Sequence, residues 1–141
     1  MSKPIEEVVL SAIRQIEAAT TDHGVLQILA DFVSPFGFDS VSLGHIVNPA
    51  HVDLQSKDWF VLSAWSDELQ VRYRERQAMF FDPVARYALN SRRPFLWSDA
   101  YKLAGQKGQS WLDEVGEAGL KQGLSIPVHD IGKPAGCISF S

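Results

Sequence analysis

The chain has 141 residues, 45% of them hydrophobic and 21% charged, with a formal net charge of −4. That length and balance fit one globular domain with a real core and exclude a disordered chain. The negative charge argues against a nucleic-acid surface, and the single cysteine, Cys137, excludes an internal disulfide and fits a reducing, cytoplasmic setting. No apolar run approaches the roughly 20 residues that span a bilayer, and Glu6 and Glu7 interrupt the stretch where a signal peptide would be apolar.

Ile5, Val8, Val9, Ala12, Ile13 and Ile16 recur at helical spacing, so residues 4–19 read as an amphipathic helix. Thr20, Thr21 and Asp22 end it and offer caps for a second helix carried by Val25, Leu29, Phe32 and Val33, which Pro35 and Gly37 stop. From Phe38 to Val47 the pattern alternates, with Val41, Leu43 and His45 on one face and Ser42, Gly44 and Ile46 on the other, as in a strand. A polar loop follows, and "WFVLSAW" (59–65) suits a second strand. Ser66 is placed to cap a helix running to about Gln77, with Leu69 and Tyr73 one turn apart on the same side. Asp82-Pro83 opens another helix, because proline suits the first helical position. "PFLW" (94–97) reads as extended or a turn, and "QSWLDEVGEAG" (109–119) as a helix ending in glycines. "GLSIPVHD", a turn at "IGKP" and "AGCISFS" form a terminal hairpin. This order predicts an α+β fold with a mostly antiparallel sheet, in one domain over residues 1–141.

Several chemical motifs fail on inspection. Cys137, His129 and Asp130 resemble a thiol triad only by composition, since Asp130 adjoins a turn and Cys137 lies within a strand, where a small buried cysteine is the simpler reading. The four histidines lack metal-ligand spacing, and "GQKGQS" (105–110) lacks the spacing and lysine-threonine ending of a phosphate loop. Six arginines between Arg72 and Arg93 read as solvated helix faces rather than an anion site. These residues predict no enzyme, no cofactor and no metal.

What remains is a set of polar groups on apolar elements: Tyr73, Asp82, Trp97, Ser125 and Ser139. Singly each has a plain structural explanation, Asp82 as a helix cap and Trp97 as packing. Together they describe an apolar cavity with a few convergent polar groups, the usual form of a small-ligand site.

Tyr73, Asp82-Pro83, Pro94 and Trp97, with nine residues from Tyr73 to Asp82 and fifteen from Asp82 to Trp97, resemble the autoinducer-binding domain of LuxR-type quorum-sensing regulators. So does the stretch "AGLKQGLSIPVHDIGKPAGCISFS" (118–141), and the resemblance covers residues 5–141. It implies an α-β-α sandwich enclosing an N-acyl homoserine lactone. Asp82 would accept the ligand amide N–H, Tyr73 and Ser139 would hydrogen-bond the neighbouring acyl carbonyl, and Trp97 would pack on the lactone ring. Val84, Ala85, Ala88 and Trp111 would line the cavity, with Ser42 and Gly44 from the first strand, Ser125 from the hairpin, and Ala135 and Cys137 from the last strand. The resemblance further implies a homodimer whose solubility depends on the signal, so that Asp82→Asn would lower affinity and soluble yield together.

Two departures stand out. The family usually has a tryptophan four residues before Tyr73, donating its indole N–H to the lactone carbonyl, where this chain has Leu69. Either Trp65, one turn earlier, supplies that donor, or the ligand head is not a homoserine lactone. Full regulators also continue into a further helix and a helix-turn-helix DNA-binding domain. Their absence is expected to mean an excised ligand domain that makes no direct nucleic-acid contact, the alternative being a truncated homologue that antagonises a full-length regulator by heterodimerisation.

Overall fold

A computed structural model of the chain describes residues 3–46, 60–63, 65–131 and 135–141. The polar loop expected after the first strand and most of the IGKP turn lie outside the described residues.

Helix α1 (Ile5–Ala18) begins at Pro4, with Glu6 and Glu7 in its first turn, where negative charge complements the helix dipole. It packs on α2 (Asp22–Val33), which Thr21 caps by accepting the Gly24 N–H at 3.0 Å. A short 3-10 turn over Ser34–Phe36 ends α2, and Gly37, at φ 90°, supplies the left-handed residue that turns the chain into the sheet.

The sheet has five strands in the order β2-β1-β5-β4-β3. They are β1 (Val41–Ile46), β2 (Phe60–Ser63), β3 (Phe95–Leu96), β4 (Leu124–Val128) and β5 (Ala135–Phe140). Every described pairing is antiparallel, stricter than the mostly antiparallel sheet expected. Beyond β5 the ladder continues, with Ser141 N–H donating to the Ser40 carbonyl at 3.0 Å.

On one face α2 covers the sheet, and Val33, Val41 and Phe140 form the centre of a packed layer. On the other lie α3 (Asp67–Glu75), α4 (Pro83–Leu89), α5 (Trp97–Tyr101) and α6 (Gln106–Glu117). The result is an α-β-α sandwich. Two elements go beyond the sequence reading. "PFLW" contributes a two-residue strand, and Trp97, read as its end, instead opens α5. Helix α6 also starts earlier than expected, at Gln106.

Two local devices aim side chains at the interior. Ser66 caps α3 by accepting the Leu69 N–H at 3.2 Å, and Gln77 then adopts a left-handed conformation (φ 52°) that reverses the chain into a 3-10 turn leading to Asp82. For a residue with a Cβ that conformation costs about 1 kcal/mol. At the far end, Gly119 (φ 91°) closes α6 in a Schellman motif, with the Leu120 N–H donating to Val115 O and the Gly119 N–H to Gly116 O. Of the arginines between Arg72 and Arg93, Arg72 and Arg76 pair with Glu114 of α6, and Arg76 stacks over Trp111 at 5.9 Å. No helix among the described residues is long and apolar enough to cross a membrane.

Candidate functional site

A cavity of about 70 Å³, measured as space open to the centre of a water molecule, lies between the sheet and helices α3–α6. Strand alternation supplies one wall: Ser42 and Gly44 of β1, Cys137 and Ser139 of β5. These side chains are small, and their smallness keeps the space open. The helices supply the other wall, with Trp65 and Tyr73 at α3, Asp82, Val84 and Ala85 at α4, and Trp97 and Trp111 from α5 and α6.

Four residues expected in the site stand elsewhere. Leu69 is buried beside Tyr73 and Trp111 but packs into the α3–α6 core rather than bordering the cavity. Ala88 is buried behind the wall, packed with Phe95 and Ala100 against the back of Ile46, and Ala135 packs against that same group. Ser125, 0% exposed, lies behind Trp97 and Ser139. Others reach the cavity unforeseen. Ile46 shares the face of Ser42 and Gly44, and Val115 lies one turn from Trp111, so periodicity pointed to both. Met79, Tyr101 and Leu120 arrive from turns and the short α5, which carry no periodic signal; His45 and Leu112 complete the border.

Asp82 is the charge in this wall, only 7% exposed. Its Oδ1 accepts the Val84 N–H at 3.0 Å and so caps α4, and its Oδ2 accepts the Tyr73 hydroxyl at 2.9 Å. Burial raises its carboxyl from 3.8 to about 6, against the lowering effect of the bonds from Tyr73, Val84 and Ala85. Burial also pushes the Tyr73 hydroxyl well above its usual value and Tyr101 up to about 12, with the Asp82 charge adding to both. Tyr73 itself is held edge-on between Trp65 and Trp111, at ring-centroid distances of 5.9 and 5.2 Å.

A second polar group is neutral. Trp97 Nε1 donates to Ser125 Oγ at 2.9 Å, and Ser125 Oγ lies 2.7 Å from Ser139 Oγ. Trp97 lies flat on Gly123, where an added Cβ would come within 2.5 Å of the indole, and its backbone N–H donates to Gly123 O at 2.9 Å. Next to Ser139, burial raises the Cys137 thiol, which makes it a weak nucleophile. Among the described residues no cluster of His, Cys, Asp or Glu could hold a metal ion. The arrangement is an apolar chamber with one carboxylate and one hydroxyl row, suited to holding a small molecule with an amide-like polar centre and an apolar body.

Comparison with known proteins agrees. Residues 21–141 match the model of the autoinducer binding domain. The chain is 26% identical over 133 residues to the transcriptional activator protein VanR of Vibrio anguillarum, covering 94% of this chain and 54% of VanR. It thus spans about half the length of that relative. The fold matches the N-acylhomoserine lactone-dependent LuxR-family transcription factor CepR2 of Burkholderia cenocepacia (TM-score 0.74, 14% identity, 95% of this chain and 76% of that chain). It also matches Escherichia coli SdiA in complex with octanoyl-rac-glycerol (TM-score 0.69, 16% identity, 100% of this chain and 56% of that chain). With the family model spanning the sheet, the cavity and both polar groups, this chain belongs to the autoinducer-binding domains of LuxR-type regulators.

Proposed function

We propose that the cavity binds an N-acyl homoserine lactone-like signal, with its amide N–H on Asp82, its ring against Trp97 and its acyl chain along Ile46, Met79, Val115 and Leu120. Domains of this family are sensors of small-molecule signals, not enzymes. Asp82 is the observation that carries the reading. An acid buried on an apolar wall is costly, and Tyr73, Val84 and Ala85 together leave about one of the roughly four lone-pair sites a carboxylate offers. A ligand N–H there relieves the desolvation that burial imposes.

Binding then acts through stability. A signal a hundredfold above its Kd adds about 2.7 kcal/mol to the folded state, enough to decide the fate of a marginal domain. In this reading the signal stabilises a homodimer, and a separate domain outside this chain makes the DNA contacts.

A second reading is favoured by Leu69, which leaves no tryptophan donor at that position and does not border the cavity. The head group is then hydroxylated rather than a lactone, like the octanoyl glycerol bound by SdiA. Native mass spectrometry of the chain, incubated with acyl homoserine lactones and separately with octanoyl-rac-glycerol, separates the two. The expected result is a one-to-one lactone adduct that Asp82→Ala abolishes. An adduct with the glycerol ester alone favours the second reading, and a folded chain without any adduct sinks both in favour of a signal-free partner of a full-length regulator.

A further inference from the structure

Helix α1 carries more apolar surface than α2 covers. None of its 14 residues is buried. Val8, Ala12 and Ile16, four apart, are half-buried, as one face packed on α2 should be. Ile5, Val9, Leu10 and Ile13 form a second apolar stripe and are between 37% and 53% exposed. At 3.6 residues per turn, Leu10 and Ile13 lie in one line with Glu6 and Glu17, at steps of four, three and four. Arg14 flanks that line on the side of Leu10. Among the described residues Lys3, Glu6, Arg14 and Glu17 form no ion pair within the chain.

We propose that this stripe of α1 is where two copies of the chain meet, packed antiparallel about a two-fold axis at Leu10. Charge complementarity selects that arrangement. With Leu10 against Leu10, residues equally far before and after it fall level. Glu6 of each copy then faces Arg14 of the other, and Lys3, just before the helix, faces Glu17. A two-fold axis across an antiparallel pair keeps flanking residues on the same side, which puts Glu6 and Arg14 on one edge together. A parallel pair would instead set Glu6 on Glu6 and Arg14 on Arg14. The same charges disfavour an anionic lipid surface, since Glu6, Glu7 and Glu17 outnumber Lys3 and Arg14. Exposed ion pairs contribute little each, so the apolar stripe drives association and the charges fix its register. A contact one helix long is at the small end of specific interfaces, so the dimer is expected to be weak and concentration-dependent. The inference rests on the homodimer of the functional reading and names its interface.

Sedimentation equilibrium of the whole chain across a concentration series, with and without N-octanoyl homoserine lactone, tests it. The expected result is a reversible monomer–dimer equilibrium. Leu10→Glu sets two acids on the axis and is expected to leave a monomer under both conditions. Arg14→Glu and Glu6→Arg each turn two symmetric attractions into repulsions and are expected to weaken the dimer about five- to thirtyfold. The double reversal, Glu6→Arg with Arg14→Glu, exchanges the partners and should restore it to within about twofold. All three positions are exposed, so the thermal melting of each variant's monomer should stay as in wild type, which separates a lost contact from a lost fold. A chain monomeric under both conditions, a dimer that survives Leu10→Glu, or a double reversal as weak as the single ones overturns the inference. If the dimer needs the lactone yet survives Leu10→Glu, the functional reading stands and this interface falls. A dimer that obeys the charge exchange in a chain that binds no lactone does the reverse.

Discussion

The two faces of the central sheet are built by alternate residues of the same strands and do opposite things. Toward α2 point Val41 and Leu43, Leu124 and Ile126, and Ile138 and Phe140, which with Val33 fill their layer. Toward the other helices point Ser42 and Gly44, Cys137 and Ser139, and these leave a cavity. Register sharpens the contrast. Ser63 pairs with Ser42, Ser42 with Ser139, and Ser139 with Ser125, so four serines line up across four strands. Large apolar side chains on one face supply the burial that holds the sheet, which frees the other face to carry small and polar ones. The lesson is a division of labour at a period of two: one face is packed solid, the other stays open around a cavity.

The largest effect should come from breaking the packed face. Phe140 is buried and its ring sits 5.9 Å from that of Phe38. Phe140→Ala is expected to cost about 3–5 kcal/mol in urea denaturation, while the rank order of lactones bound at a permissive temperature stays as in wild type. A changed rank order with little loss of stability would mean that the faces are not independent.

Asp82 tests the open side. Its carboxyl is raised in the fold, from 3.8 to about 6, so the folded state binds the proton more tightly than the unfolded chain does. The ligand-free domain is therefore most stable below about pH 4 as far as this group is concerned, and loses about 3 kcal/mol as pH rises through 6. Asp82→Asn should flatten that slope, since asparagine caps a helix about as well as aspartate. Affinity runs the other way. A ligand N–H favours the carboxylate, so binding should weaken as pH falls below about 6, and Asp82→Asn should bind poorly at every pH. Affinity and yield, expected to fall together in this variant, thus separate: ligand-free stability at pH 7.5 holds or rises, and only the gain from added signal is lost. Denaturation curves from pH 4.5 to 7.5, with and without lactone, read both. An unchanged slope in the variant would place the titrating group elsewhere.

Much of this architecture is legible in the sequence because it rests on local signals. Ser66, Thr21 and Asp82 each cap the helix they were expected to cap, and the alternation of β1 puts Ser42 and Gly44 on one face. What the sequence could not yield depends on distance in space. Nothing local marks Trp97 as a helix start, because its place is set by Gly123 and Ser125, far along the chain. Ala88 and Ala135 fall behind the wall because strand register and helix rotation are tertiary facts. Leu69 shares a helix face with Tyr73, as expected, but that face is wide enough for Tyr73 to border the cavity while Leu69 packs beside it.

Leu69 also sets the smallest and most discriminating test. Trp65 borders the cavity one turn before it, with its ring edge-on to Tyr73 and its backbone N–H donating to Ser63 Oγ at 3.0 Å. Trp65→Phe keeps an aromatic ring beside Tyr73 and removes the indole N–H, so stability should change by less than about 1 kcal/mol. If Trp65 replaces the donor that leucine cannot provide, lactone affinity should drop about three- to tenfold, while octanoyl-rac-glycerol, which has no ring carbonyl, should bind as before. Equal losses for both ligands would make Trp65 a packing residue. No loss for either would mean that the lactone carbonyl finds no donor on this wall, and the preference for a lactone head would then rest on Asp82, Ser139 and the face of Trp97 alone.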